Sequence, residues 1–522
     1  MTSVKNHSYK IILIIICIAV FAMGITLFFI TSALFPDAAH GFQVLRTMQM
    51  GSSFNTFVSP DQSDISQNYT EFLTWWSPGQ YLVPYFFKLV ASLNIGQAIA
   101  IATLIAQLSG LTGFYCFFKK IGFNPLIAAL SLVFIICQQA FVVPYVFYNG
   151  GEVLLFAFEG WFLYGCIALE KIDLKLILFI LFSGWIGFFF KSSFIWIYVA
   201  GLCCLWIRLS SGTGKWVKNA LLLGSPTAIS LLAIYVFFLS KGTSPASASN
   251  GIKLTIQTFG FPLASPILSG FSIDDMLNGL IYHTGKVVFN PGWSIIILLV
   301  LALLSLFLIF SITRIVQNNK YKLFIIVFYA AAILFFGFSY LKQLNISFEA
   351  RHFRILGLLI VPGIISLVMG FKPVYKLVFV LFFAGIAYTS FSYLIKGYEI
   401  NNVNAKGVSG IAQPNIDQQS LNYIMKLDRE NNNATFVFIS DDIGLEILHN
   451  RIITLQPIGD NLKIDTDDYT YDGFAGPLYI VLPQSYNGPK EKMIMKSFPG
   501  YTGFNISMLS PNYVLYAAKM KR

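Results

Sequence analysis

Residues 75–90 read WWSPGQYLVPYFFKLV, and whether this stretch crosses a bilayer decides how the rest of the chain is threaded. A transmembrane helix needs about 20 apolar residues; this run is shorter and carries Pro84 and Lys88. Its neighbours settle the matter, because cytoplasmic loops collect Lys and Arg. Upstream, Lys5 and Lys10 precede the apolar run 11–34, so that run leaves the cytoplasm and the polar segment 36–80 is extracytoplasmic. Downstream, the run 95–118 ends in Lys119 and Lys120, which reach the cytoplasm only if residues 75–90 stay outside. The stretch, continued to Leu93, is therefore expected to be interfacial or re-entrant, with Trp75 and Trp76 anchored at headgroup depth.

From there, apolar runs at 124–142, 152–169, 174–190, 194–207, 220–239, 291–312, 323–341, 355–369 and 377–395 alternate in direction, and Lys or Arg follows each inward one. The expected fold is an all-α polytopic membrane protein of about eleven transmembrane helices, N-terminus in the cytoplasm. Composition agrees: 56% of the 522 residues are hydrophobic and 11% charged, where soluble domains have about a quarter charged. Lys and Arg exceed Asp and Glu by 35 to 24, but they fall between apolar runs and form no basic stripe, which argues against a nucleic-acid partner. The six cysteines all lie in apolar runs and read as small core hydrophobes. The run 11–34 is longer than a signal-peptide core and lacks a small-residue cleavage site, so it reads as a retained span. After residue 396 the composition becomes that of a soluble domain. Strands near 435–440, 451–455, 478–482 and 513–519, with helices near 418–429, 442–449 and 491–496, predict a small extracytoplasmic α/β domain. The expected division is thus a membrane domain, 1–395, with a first outer loop at 36–94, followed by a C-terminal domain, 396–522.

Titratable residues near span ends sort to the outer side: Asp37, His40, Glu152, His283, Glu349 and His352, with Lys191, Arg351 and Arg354. Charges at that depth usually face a cavity, a partner or a substrate. Asp37 opens a helix expected over 37–50 and reads either as a carboxylate stabilised at a helix N-terminus or as a general base. His40, one turn on, shares that face as a substrate contact or as an interfacial histidine. Glu152, after Tyr148-Asn149-Gly150-Gly151, is likewise either a structural acid at a helix start or the second carboxylate of a site. Lys191 and the group Arg351, His352 and Arg354 suit an anion, or else snorkel to lipid phosphates. Asp61 with Asp64, and Asp274 with Asp275, lack multidentate spacing and read as solvated turns, so no metal site is expected. The glycine pairs match no nucleotide-binding fingerprint.

The order is a span, Asp37, the segment WWSPGQYLVPYFFKLV, a span closing in Lys119 and Lys120, then NGGEVLLFAFEGWFLYG at 149–165. That order resembles the GT-C class of membrane glycosyltransferases, particularly the polyprenyl-phosphate-dependent group of protein O-mannosyltransferases and aminoarabinose transferases. The resemblance covers roughly residues 11–370. It implies catalytic roles for Asp37 and Glu152 and a substrate-binding set of Lys191, Arg351, His352 and Arg354; His40 and Tyr148 join that set from their places beside Asp37 and Glu152. One departure is that Ala38 follows Asp37 where the family often has a second acid. What the resemblance implies is inverting transfer of a sugar from a polyprenyl-phosphate donor on the extracytoplasmic face, with Asp37 as base and no metal, nucleotide or redox cofactor. The expected setting is a bacterial inner membrane, with membrane lipids as partners; the acceptor, whether protein, lipid or glycan, stays open. The alternative is a transporter or flippase for a lipid-linked saccharide. Against it stand the odd span count, the lack of an internal repeat and the absence of charges inside spans. A third reading is a non-catalytic membrane scaffold presenting the C-terminal domain.

Overall fold

A computed structural model describes residues 8–242, 251–273, 282–283, 286–287, 291–464 and 469–518. Among these residues nine helices, from Ser8–Phe29 to Pro373–Val403, are long and apolar enough to cross a membrane. The protein is a multi-pass membrane protein with a small C-terminal sheet domain. Two expected spans differ in form. The run 174–190 is a helix of 17 residues, Leu174–Phe190, started by the Asp173 carboxylate, which accepts the Leu176 N–H at 3.0 Å. The run 124–142 is broken into Pro125–Ile136 and Gln139–Tyr145, bent by 73°. The break has a side-chain cause. The Ser272 hydroxyl accepts the Gln139 N–H at 3.2 Å while donating to Gln138 Oε1 at 2.8 Å, so this N–H has a partner outside the helical ladder. Residues 75–90 give the helix Gly79–Ala91, 13 residues long and too short to cross, ended by Ser92 in the left-handed region at φ 51°.

The chain forms two compact units. The first holds Met1–Gly24, Thr103–Pro144 and Gly151–Ile395; the second holds Ile25–Ala102, Tyr145–Gly150 and Lys396–Arg522. The first is a helical bundle whose core is rich in phenylalanine, with Phe114, Phe117, Phe118 and Phe156 fully buried. Helices Ile95–Ile121 and Gly151–Ala168 meet backbone to backbone, since a Cβ on Gly160 would lie 2.6 Å from the Gly113 carbonyl carbon. Small residues allow this close approach in membrane helices.

The second unit is built on a five-stranded sheet ordered Arg451–Thr454, Thr435–Phe438, Leu478–Pro483, Tyr513–Ala517, Asn505–Met508. The first three strands are parallel and the last two join antiparallel. Four of the five match expected strands. Asn505–Met508 does not, because all four residues are exposed and show no alternation. The helix expected over 442–449 is only a 3-10 turn, Ile443–Glu446. Asp428 stops it by accepting the Leu448 N–H at 2.8 Å and the His449 N–H at 3.2 Å. Helix Pro36–Gln49 belongs to this unit and buries Ala38, Phe42, Val44 and Leu45. So do the hairpin Thr56–Pro60/Asn68–Phe72 and a short parallel pairing of Ala33–Leu34 with Phe147–Tyr148.

Candidate functional site

In the first unit, three segments bring charge to one recess. Glu152 stands in the first turn of Gly151–Ala168. Lys191 is the C-cap of Leu174–Phe190, fixed by its N–H to the Gly187 carbonyl at 2.9 Å. Arg351 and His352 lie in the 3-10 turn Ala350–Phe353, and Arg354 begins the helix after it. Gly151 makes room for the approach: a Cβ there would sit 3.1 Å from the Phe190 carbonyl oxygen and 3.3 Å from Lys191 Cβ.

The Glu152 carboxylate, 9% exposed, ion-pairs with the Lys191 ammonium and with Arg351 Nη1, the latter at 3.3 Å. Arg351 also ion-pairs through Nε with Glu349. One buried carboxylate thus orders two cations, the arrangement that makes burial of charge tolerable. Three cations, Lys191, Arg351 and Arg354, and two carboxylates, Glu152 and Glu159, line the recess, a balance that suits an anion. Arg354 lies over the Phe156 ring, 5.2 Å from its centroid. His352 Nε2 is 3.2 Å from the Ser347 hydroxyl. Glu152, Lys191, Arg351, His352 and Arg354 all line this recess, together with Leu155, Glu159, Ser193, Ile197 and Ile355.

Glu159 is the residue that sequence reasoning missed. It is 3% exposed and sits inside the candidate span Gly151–Ala168, which corrects the expectation that span interiors carry no charge. The signal was available: it lies seven residues after Glu152, on the same helical face, and an ionisable residue inside a span is a functional candidate by default. The fields of Arg354 and Lys191 reach it.

The other expected residues belong to the second unit. Asp37 is in the first turn of Pro36–Gln49; it is not the cap, which is Phe35 and has no side-chain cap bond. His40, one turn on, has ring contacts with Trp76 at 4.9 Å and Phe57 at 5.1 Å. Tyr148 is fully buried and its hydroxyl donates to the Gln80 carbonyl at 2.8 Å, which ties its strand to helix Gly79–Ala91. Asp61 and Asp64 close small turns, accepting the N–H groups of Ser63 at 2.8 Å and Ser66 at 3.0 Å. Asp274 and Asp275 lie outside the described residues, as does the side chain of His283. All six cysteines are free thiols. No group of three or more His, Cys, Asp or Glu suited to a metal occurs among the described residues.

No protein-family model matches the chain, and comparison of its sequence with characterised proteins finds no match. Solved structures do resemble it. ArnT from Cupriavidus metallidurans in the apo state is similar over 98% of each chain at 11% identity and TM-score 0.43. The archaeal oligosaccharyltransferase AglB from Archaeoglobus fulgidus, in complex with an inhibitory peptide and a dolichol-phosphate, is similar over 99% of this chain and 74% of its own at 10% identity and TM-score 0.49. The arabinofuranosyltransferase AftD from Mycobacteria is similar over 97% of this chain and 40% of its own at 12% identity and TM-score 0.46.

Proposed function

We propose that the chain is an integral-membrane glycosyltransferase that moves a sugar, with inversion, from a polyprenyl-phosphate donor to an acceptor hydroxyl on the extracytoplasmic face of a bacterial inner membrane. The observation that carries this reading is the recess of the first unit, where Lys191, Arg351 and Arg354 gather with Glu152 at helix ends, above the buried Glu159, in a bundle with a phenylalanine-rich core. A lipid phosphate suits such a place. Lys supplies a compact charge and Arg a planar fork for phosphate oxygens, and an isoprenoid tail lies naturally in the surrounding hydrocarbon.

In the reaction, the acceptor oxygen bonds to the anomeric carbon as the bond from that carbon to the phosphate oxygen breaks. The electron pair leaves with polyprenyl phosphate, and the hydroxyl proton passes to Asp37, held at the rigid start of Pro36–Gln49. Lys191, Arg351 and Arg354 stabilise the charge growing on the phosphate, and His352 adds a polar contact at the rim. We assign Glu152 to positioning, since its carboxylate is engaged by Lys191 and Arg351. Tyr148 fixes the strand before Gly150, and His40 contacts the acceptor. The scheme draws on no metal, nucleotide or redox cofactor.

The test compares reconstituted wild type with Asp37→Asn, following release of undecaprenyl phosphate from a panel of undecaprenyl-phosphate sugars. Loss of a positioned base is expected to slow release by about a hundredfold or more while donor binding persists. Transbilayer movement of the intact lipid-linked sugar without cleavage would replace the transferase with a transporter.

A further inference from the structure

Within the second unit, His40 is ringed by groups from widely separated parts of the chain. Phe57 and Trp76 pack on its ring, and Trp75 follows at 6.1 Å from Trp76. The carboxylates whose fields reach it are Asp441, Glu71 and Asp37, Asp441 most strongly. Asp441 comes from the C-terminal domain, just past the end of Thr435–Phe438. That strand is flanked in parallel by Arg451–Thr454 on one side and Leu478–Pro483 on the other, so the chain crosses over it to continue the sheet. The carboxyl end of a strand at such a reversal is where open α/β sheets hold ligands.

The strand end there is polar and tied to helix Pro36–Gln49. Gln43 Nε2 donates to the Asp441 carbonyl at 2.9 Å, to Asp441 Oδ1 at 3.1 Å and to Thr454 Oγ1 at 3.1 Å. Gln43 is fully buried, and its Oε1 has no hydrogen-bond partner among the described residues.

We propose that this face of the second unit binds a saccharide without anionic groups, stacked on Trp76, with Asp441 and Glu71 accepting its hydroxyls beside His40. The proposal rests on the glycosyltransferase reading and names the chemical class of its acceptor. A sugar ring presents an apolar C–H face and a rim of O–H donors. Aromatic rings beside carboxylates are the complement of that pattern. Asp37, Glu71 and Asp441 together repel a phosphorylated or acidic acceptor, which is how a site of one sign selects its ligand. On this reading Asp441 makes the C-terminal domain part of the acceptor site.

The experiment uses the full chain in nanodiscs. Binding of fluorescein-labelled neutral hexasaccharides of the gluco, manno, galacto and N-acetylglucosamine series is measured, with phosphorylated and hyaluronan oligosaccharides as the anionic arm. Undecaprenyl phosphate binding is measured in parallel. Expected are millimolar or tighter binding of at least one neutral series, none of the anionic ones, and weakening of about tenfold or more in Trp76→Ala and Asp441→Asn. Trp76→Phe, which keeps an aromatic face, should retain most of the binding. Undecaprenyl phosphate binding should be unchanged in all three, which also reports that they fold. Wild type that holds undecaprenyl phosphate but no neutral saccharide, or variants that bind saccharide as wild type does, would overturn the inference and leave the transferase reading standing. Saccharide binding without binding of undecaprenyl phosphate would support the site and remove the donor on which that reading depends.

Discussion

Glu152 shows what one buried carboxylate does for its neighbours. Its partners Lys191 and Arg351 approach from different segments, and removing one leaves a buried charge with half its compensation. Lys191→Met is therefore expected to destabilise the protein by about 2–3 kcal/mol and to abolish undecaprenyl phosphate binding. Lys191→Met/Glu152→Gln should recover most of the stability and none of the binding. Thermal unfolding in detergent, beside lipid binding, checks this; a double variant as unstable as the single one would mean that the pair is not the source. The sequence placed these residues on one side of the membrane through span counting and charge bias. That common side already suggests one polar cavity; which side chains pair inside it was not visible, because it depends on which helix ends adjoin, and a linear pattern does not encode that.

His40 allows a pH prediction at the same scale. Burial holds its imidazole below the ordinary value of 6.5, against Asp441, Glu71 and Asp37, which push it up. A lowered folded value means that below pH 6.5 the unfolded chain takes the proton first, so stability present above that pH is lost as pH falls towards the folded value. Asp441 runs the other way. Burial raises it above 3.8, with His40, Thr454 and Gln43 opposing, so its contribution is full below 3.8 and lost as pH rises through the raised value. As pH falls below 6.5, wild type should lose stability more steeply than His40→Gln, which lacks the imidazole. Equal slopes in chemical denaturation of the two proteins would show that His40 does not titrate across folding.

At the scale of elements, Pro36–Gln49 was legible as a helix from its start at Pro36 and Asp37, but its role was not. Arg46, in its last turn, is 5% exposed. Its Nε donates to the Ile447 carbonyl and its Nη2 to the Asn450 carbonyl, both at 2.5 Å. Burial pushes this guanidinium down to about 10, with Asp428 pulling the other way. The helix is thereby latched to a loop of the C-terminal domain about 400 residues later. Arg46→Ala leaves two carbonyls without their donor and should destabilise the second unit by about 3 kcal/mol. Arg46→Lys should rescue little, because an ammonium lacks the fork. Limited trypsinolysis reads this directly, as faster release of C-terminal fragments from both variants; unchanged release would mean that the latch is dispensable.

At the scale of the molecule, composition marks residue 396 as the place where the chain turns polar, yet the second unit also contains Ile25–Ala102. Beyond the helix expected over 37–50, segment 36–80 reads only as a polar loop, because its order comes from distant partners. Ile65, fully buried, sits in the same hydrophobic core as Val437, Leu478 and Phe498. The Ile65 N–H donates to the Asp472 carbonyl and the Asp472 N–H to the Gln62 carbonyl, both at 2.8 Å. Thr31 donates to the Gly410 carbonyl at 2.6 Å, and Arg451 to the Ile65 carbonyl at 2.7 Å. Each such bond is worth about 1 kcal/mol net, and all are lost together if the chain stops at residue 395. Residues 60–70 should then exchange their amide hydrogens rapidly, while helical residues 103–144 of the first unit stay protected. Hydrogen exchange on chains 1–522 and 1–395 in the same nanodiscs makes the comparison. Protection of residues 60–70 that survives truncation would show that segment 36–80 folds on its own, and that the C-terminal domain is an attachment to it.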